Sequence, residues 1–155
     1  MHAITDGCQL ILGGTKPDDI EGFLETNAEY RELREREDVN IMKAIAESDD
    51  DPPVLMVNLN KYKAAAGYPN GKLYKEYMDA LDTLLSELGG TKKFQIPVLG
   101  QPVGKQDADE ILGIWYPSHK SFLSIKDQAS SAKNFELRGM CVETAVIHRC
   151  PADSD

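Results

Sequence analysis

Several features that would assign the chain to a special class of protein are missing. Its 155 residues include only 3 cysteines. They are scattered and odd in number, too few for a disulfide scaffold, so we expect reduced thiols and a cytoplasmic protein. No apolar run approaches the roughly 20 residues of a membrane span, and no basic segment followed by an apolar stretch opens the chain. We therefore expect no membrane partner and no secretory signal.

The sequence also has few basic residues relative to acidic ones. The 17 Lys and Arg face 26 Asp and Glu, for a net charge of −9. This balance argues against nucleic acid as a partner, because phosphate binding needs clustered basic residues. The imbalance lies at one end: residues 1–51 hold 14 acidic and 5 basic side chains, whereas residues 52–155 hold 12 of each. The run Asp49 to Pro53 marks the junction, because two prolines cannot continue a helix.

The charge division predicts an acidic N-terminal extension of residues 1–51, a domain of residues 52–150, and a tail of residues 151–155. The extension has a mainly helical pattern. A short strand is predicted at residues 8–12, a helix follows with Thr15 or Asp18 as its cap, and a longer helix covers Ala28 to Glu47. Two interpretations of its charge stay open. It is either a solvated surface that maintains solubility or a docking surface for a basic partner.

The second part of the chain, in a sequence that is 41% hydrophobic, can bury a core. Its periodicity predicts a strand at 54–61, a helix at 72–88, strands at 92–99 and 111–116, helical segments after Pro117 and at 132–138, and a strand at 141–149. This order is the split βαβ, or ferredoxin-like, arrangement. We therefore expect an α+β fold, a βαββαβ unit with a four-stranded antiparallel sheet. The helices should cover one sheet face and leave the other as an association surface, unless the N-terminal helices of the same chain cover it.

Three segments of this domain resemble the DUF1330 family. They are the opening strand Pro53 to Lys63, the helix Leu73 to Leu88 with its Gly89-Gly90 end, and the run Ile114 to Ser118 followed by Phe122. Arg138 also stands where these proteins usually carry an arginine before the last strand. The resemblance covers residues 53–150. It implies a dimeric α/β barrel, a homodimer in which two ferredoxin-like units join their bare sheet faces.

The resemblance leaves the chemistry open, because most of this family has no known activity. The wider superfamily includes cofactor-free monooxygenases, polyketide cyclases, enzymes like muconolactone isomerase and haem-binding relatives of peroxidases, and a fold does not choose among them. One hypothesis is a cofactor-free cyclase, isomerase or monooxygenase acting on an aromatic or polyketide-like substrate. The other is a non-catalytic small-molecule-binding or accessory protein of a biosynthetic pathway. The lack of an obvious acid–base pair favours the second, and the isolated Asn58 and Arg138 favour the first.

Three polar residues are candidates for catalysis. Asn58 interrupts an apolar strand, where an unpaired amide is costly; it could donate to a substrate oxygen or to a neighbouring loop backbone. Arg138 could clamp a carboxylate or phenolate, or pair with a nearby acid. His119 could be a general base held neutral in the first turn of a helix, although a surface histidine is the plainer interpretation.

Three aromatic residues are candidates for substrate binding, with packing as the alternative for each. Tyr62 could serve as an acid or donor. Trp115 and Tyr116 point to opposite faces of their strand, so we expect one in the core and one in a pocket wall. The site is predicted at the polar end of the first strand, with Asn58 and Tyr62 near Trp115 and Arg138.

Cofactor signatures are absent from the sequence. His148 and Cys150 share a strand face, but a metal site needs three or four ligands and no third is evident. We find no phosphate-binding glycine loop, nucleotide fingerprint or Ser-His-Asp signature. We therefore expect no metal, nucleotide or haem, and we expect only a small-molecule ligand and a second copy of the chain as partners.

Overall fold

A computed structural model describes residues 28–152. The predicted strand at residues 8–12 and the helix near Asp18 lie outside these residues. The chain divides into two compact units, Met1–Ile41 and Met42–Asp155. Helix α1, Ala28–Glu47, has the predicted bounds and begins in the first unit. An exposed ion pair between Arg36 and Glu32, one turn apart at 3.8 Å, is of the kind that supports such a charged helix.

The second unit contains one sheet and three further helices. Its elements are β1 (Val54–Tyr62), α2 (Lys72–Leu88), β2 (Thr91–Pro97), β3 (Glu110–Tyr116), α3 (His119–Leu123), α4 (Ser131–Cys141) and β4 (Val142–Pro151), with single 3-10 turns at Ala64–Ala66 and Ile125–Asp127. The strand order is β2-β3-β1-β4, and every neighbouring pair is antiparallel. The predicted α+β, ferredoxin-like fold is therefore confirmed.

The element bounds differ from the predicted ones mainly at the edge strands. Strand β2 stops at Pro97, short of the predicted Leu99, although the Val98 N–H still donates to the Asp109 carbonyl at 2.8 Å. Helix α4 continues through Cys141, and the extended Val142 starts β4 directly after it. No connecting loop separates this helix from its strand.

One face of the sheet packs against the helices. Helix α2 buries seven residues on this side, namely Tyr74, Tyr77, Met78, Leu81, Leu84, Leu85 and Leu88. They form one core with alternate residues of the central strands, among them Val54, Met56, Leu112, Ile114 and Tyr116. The helix ends at Gly89, whose φ of 70° is the left-handed conformation that glycine adopts easily. We call this side of the sheet the covered face.

The opposite side, which we call the bare face, carries apolar side chains that remain partly in water. Alternation along the strands puts on it Leu55, Val57, Leu59, Phe94, Ile96, Ile111, Trp115 and Val146. Phe94, Ile96 and Val146 are 38%, 48% and 39% exposed. The Phe94 ring lies over Gly113, which leaves no room there for a side chain. None of the helices between residues 28 and 152 has the length and apolar character to span a bilayer.

Candidate functional site

Glu110, the first residue of β3, is a carboxylate placed in the core. It is 3% exposed and lies opposite Asn60 of β1 on the covered face. Its Oε1 accepts a hydrogen bond from the Tyr62 hydroxyl at 2.7 Å, and its Oε2 accepts from the Tyr74 hydroxyl at 2.6 Å and from Gln95 Nε2 at 3.1 Å. A buried carboxylate is costly unless such donors satisfy it. Within residues 28–152 no ion pair to a basic side chain involves Glu110, so neutral donors satisfy it.

The sheet topology explains why these donors meet. Strands β1 and β3 are antiparallel, so the end of β1, where Tyr62 lies, is adjacent to the start of β3. Gln95 reaches the same place from β2, where it lies opposite Leu112 on the covered face. Tyr74 enters from the first turn of α2. Four separate elements thus position four polar side chains around one point.

Three tyrosine rings pack against one another at this site, and we call Tyr62, Tyr68 and Tyr74 the tyrosine cluster. The Tyr68 ring stacks on Tyr62, with centroids 5.0 Å apart and planes inclined by 22°. Tyr74 meets both rings edge-on, at 5.1 Å from Tyr62 and 4.9 Å from Tyr68. These are favourable aromatic geometries. Tyr62 and Tyr74 are 5% and 6% exposed, whereas Tyr68 is half-buried.

The hydroxyl groups of the cluster are held in their protonated form. Burial raises the pKa of Tyr62 and of Tyr74 far above the ordinary tyrosine value, and the hydrogen bond from each to Glu110 raises it further. Burial and the charge of Glu110 also raise the pKa of Tyr68. A phenolate beside a buried carboxylate would be strongly unfavourable. The tyrosines therefore act as donors at neutral pH.

The segment before β3 is anchored to the end of β1 by Asp109. Its Oδ2 accepts the Tyr62 backbone N–H at 2.9 Å, and its own N–H donates to the Asn60 carbonyl at 2.8 Å. Its Oδ1 lies 3.2 Å from Lys61 Nζ, which is also 3.3 Å from Asp107. The hydrogen bond to Asp109, followed by that to Asp107, raises the pKa of Lys61. These contacts hold the start of β3, and Glu110 with it, beside the end of β1.

Tyr62 belongs to this site, and two other predicted residues lie on the same side of the sheet. Asn58 is half-buried on the covered face, and its Nδ2 donates to the backbone carbonyls of Met56 at 3.1 Å and Leu112 at 3.5 Å. Arg138 is half-buried in the last turn of α4. Burial raises the pKa of Tyr77, and Arg138 beside it opposes that rise.

The remaining predicted site residues lie elsewhere. Tyr116 is buried, with its ring edge-on to Phe122 at 5.2 Å, and Trp115 points to the bare face, where Lys93 Nζ lies 5.4 Å from its ring centre. The two point to opposite faces, as expected. For the same reason Trp115 is across the sheet from Asn58 and Tyr62, and the expected placement of these three side chains together does not hold.

His119 is not a surface residue, so that interpretation is wrong. It is 4% exposed because the chain leading into β1 lies against it. Its Nδ1 is 3.1 Å from both the Asp51 carboxylate and the Pro52 carbonyl. Both neighbours are acceptors, so Nδ1 carries the proton. Asp51 also accepts the backbone N–H groups of His119 at 2.7 Å and Lys120 at 3.0 Å.

Sequence reasoning missed Glu110, Tyr68, Tyr74 and Gln95. The alternation of residues along β3 could have identified Glu110. If the strand is taken to begin at residue 110 and not at 111, Glu110 falls on the same face as Leu112, Ile114 and Tyr116. The acids at 107 and 109 make this position look like a loop instead. Tyr68 and Gln95 carry no signal of their own, because their role depends on which segments meet.

A groove elsewhere on the molecule is separate from this site. A groove of about 430 Å³ lies between α2 and α4, with Asp79, Thr83, Lys133 and Leu137 among its lining residues. It shares no residue with the tyrosine cluster. Residues 28–152 contain no group of three or more His, Cys, Asp or Glu side chains placed to hold a metal ion.

Comparison with known proteins supports the fold and leaves the function open. No protein-family model and no curated protein matches the sequence. A solved structure of a protein of unknown function from Rhodopseudomonas palustris is similar at 21% identity and a TM-score of 0.60, over 75% of this chain and 94% of that one. A methylated form of that protein gives a TM-score of 0.59 at 21% identity, over 74% and 91%. A dabb family protein with a ferredoxin-like fold from Mesorhizobium loti is 12% identical, with a TM-score of 0.49 over 66% and 98%.

Proposed function

We propose that this protein is a cofactor-free small-molecule enzyme, an isomerase or cyclase that moves a proton through Glu110 and the hydroxyls of Tyr62 and Tyr74. The observation that carries the proposal is the Glu110 carboxylate, 3% exposed and held at 2.7 and 2.6 Å by two tyrosine hydroxyls. A carboxylate in a water-poor site is a suitable general base, and adjacent hydroxyls are suitable donors to a developing oxyanion. The proposed substrate is an aromatic or polyketide-like ketone.

The reaction begins at a carbon next to the substrate carbonyl. The C–H bond breaks, the proton passes to Glu110, and the electron pair moves onto the carbonyl oxygen, where a tyrosine hydroxyl turns from Glu110 to stabilise it. Return of the proton to a different carbon completes an isomerisation. Attack of the enolate carbon on a second carbonyl, followed by protonation of the new alkoxide, completes a cyclisation. A monooxygenase would begin with the same deprotonation and would need dioxygen as a second substrate.

Proton exchange tests the proposal without knowledge of the natural substrate. Phenylacetone, a ketone whose benzylic α-protons exchange slowly, is incubated with the protein in D₂O, and loss of the benzylic proton signal is followed by NMR. We expect the wild-type protein to accelerate the exchange and Glu110→Gln to lower that acceleration by about 100-fold or more, the usual contribution of a general base.

The matched control is Glu136→Gln, which removes an exposed carboxylate from α4. It should leave the exchange rate unchanged. Exchange that is no faster with protein than without it, or that is equal in the wild type and Glu110→Gln, would overturn the proposal.

A non-catalytic binding protein is the second candidate, and one observation favours it. The polar groups of the site already satisfy one another, since Gln95 Nε2 also contacts the Tyr74 hydroxyl at 2.7 Å and Asn60 donates to the Tyr62 hydroxyl at 3.4 Å. Such a saturated network can serve simply to shape a cavity wall. Ligand binding to the cluster without proton exchange would favour this function over catalysis.

A homodimer through the bare face is the third part of the proposal. Phe94, Ile96 and Val146 form an apolar surface there that a monomer would leave in water. A second copy of the same sheet offers a surface of matching character. Light scattering at micromolar concentration should give twice the chain mass, and a monomer mass would overturn this part.

A further inference from the structure

Tyr68 differs from the other two members of the tyrosine cluster. Tyr62 lies on β1 and Tyr74 on α2, and both are almost fully buried. Tyr68 lies in the turn between these elements and is half-buried. Tyr68 is therefore the member of the cluster that is most exposed to solvent.

The turn that carries Tyr68 is held at its base. Gly67 adopts a φ of 67°, and its carbonyl accepts the N–H groups of Asn70 at 3.1 Å and Gly71 at 2.6 Å. A side chain at Gly71 would collide with the backbone of Ala66 and Gly67, so glycine is required there. Since these bonds join the two sides of the turn below its tip, the Tyr68 ring can rotate away without breaking them.

The position of the Tyr68 ring resembles that of a bound ligand. It is a flat phenol that stacks on Tyr62 at 5.0 Å and meets the edge of Tyr74 at 4.9 Å. The carboxylate of Glu110, already bonded to both of those tyrosines, contributes to raising the pKa of Tyr68. Pockets for aromatic ligands combine apolar ring contacts with a few placed polar groups in this way.

We propose that the Tyr68 ring occupies the substrate position, and that the site takes a planar neutral phenol or aryl enol that displaces Tyr68 and stacks on Tyr62 with its hydroxyl at Glu110. This inference rests on the proposed function and names the ligand class of that same site. Glu110 accepts a hydrogen bond from a neutral hydroxyl, whereas it would repel a carboxylate ligand. The ligand therefore differs from the anion that Arg138 alone would have suggested.

The probe is p-cresol, which reproduces the tyrosine side chain beyond its Cα, and toluene is its counterpart without a hydroxyl. Calorimetry measures the affinity of each for the wild type, for Tyr68→Ala, and for the control Phe135→Ala, which removes an exposed ring from α4. We expect Tyr68→Ala to bind p-cresol at least about tenfold more tightly than the wild type does, and about tenfold more tightly than it binds toluene, the value of one hydrogen bond to a charged group.

Equal p-cresol affinity in Tyr68→Ala and the wild type, or an equal gain in Phe135→Ala, would overturn the inference. Equal binding of toluene and p-cresol would do the same. If Tyr68→Ala melts without cooperativity, restoration of its cooperative transition by p-cresol supports the inference, and failure to restore it counts against it.

The two proposals fail separately. Binding of p-cresol to Tyr68→Ala with no proton exchange of phenylacetone would overturn the catalytic function and leave the ligand class standing. Glu110-dependent exchange with no p-cresol binding would overturn the ligand class alone.

Discussion

The two faces of the sheet contrast sharply along the single strand β1. Toward the helices β1 presents Asn58, Asn60 and Tyr62 in its second half, and away from them it presents Leu55, Val57 and Leu59. A sheet with one solvated face usually shows the opposite distribution, apolar inside and polar outside. Burying the polar set and exposing the apolar set both have a cost in stability. The contrast supports the proposed ligand site on the covered face and the proposed dimer contact on the bare face.

The largest effect should come from making the covered face apolar. Glu110→Leu removes the acceptor of the Tyr62 and Tyr74 hydroxyls and leaves both donors buried and unpaired. At about 1–3 kcal/mol for each unsatisfied group, we expect the free energy of unfolding to fall by about 3 kcal/mol in urea denaturation. Glu110→Gln, which keeps an acceptor oxygen, should lose less. Equal losses in the two variants would mean that packing, rather than hydrogen bonding, governs this position.

The second-largest effect, on dimer affinity, should come from making the bare face polar. Ile96→Asp puts a carboxylate among apolar side chains at the proposed dimer contact, where losing a well-packed apolar residue costs about 2 kcal/mol. We expect the dimer dissociation constant to rise by at least about 30-fold, as measured by sedimentation. Phe135→Asp, a matched change on α4, should leave it unchanged. Dissociation caused by both variants alike would place the contact elsewhere.

A smaller effect is expected at Asp51, whose contact with α3 belongs to neither face of the sheet. Burial acts to raise the pKa of Asp51, but the N–H groups of Lys120 and His119 outweigh it, so the net pKa is lowered. A carboxyl with a lowered folded pKa contributes stability above its unfolded value of 3.8 and loses it as pH falls through the folded value. Asp51→Asn removes that negative charge from the start of α3 and should therefore cost about 1 kcal/mol at pH 7.

Urea denaturation across pH checks this prediction. The difference between the wild type and Asp51→Asn should shrink as the pH falls below that unfolded value. Asp50→Asn, an exposed neighbour, should have no effect at either pH. A difference that stays constant with pH would show that the contact with α3 does not depend on the Asp51 charge.

The smallest stability effect is expected at Asn58. Its amide bonds only to backbone carbonyls that are already part of the strand ladders, so Asn58→Leu should change the free energy of unfolding by within about 0.5 kcal/mol. We nevertheless expect it to abolish ligand binding or turnover, if Asn58 donates to a substrate oxygen. Unfolding of the variant, with ligand binding kept by its folded fraction, would make Asn58 a structural residue.

The fold was predictable where local pattern decides structure. The leucine stripe of α2 and the glycine after Leu88 give its bounds, and the apolar run from Val54 gives β1. The site was less predictable, because its members come together only in three dimensions. Glu110 is buried by its register opposite Asn60, and His119 by Asp51, which lies 68 positions away in the sequence. The contact of His119 with Asp51 leaves no periodic signal in the chain, and the alternation that includes Glu110 is masked by the acids at 107 and 109, which look like a loop.

The direct passage from α4 into β4 limits how the chain length can vary. One residue inserted between Cys141 and Val142 would turn the helix by about 100° relative to the strand or shift β4 by one position, which would send its side chains to the opposite faces of the sheet. The junction is also held to the rest of the site: the Cys141 carbonyl accepts the Lys63 N–H at 2.7 Å, and its Sγ contacts the Leu73 carbonyl at 3.4 Å. Lys63 and Leu73 border the turn that carries Tyr68. Insertions should therefore be tolerated in the exposed segment between β2 and β3 and rejected at this junction, where added length would pull on the turn above Glu110.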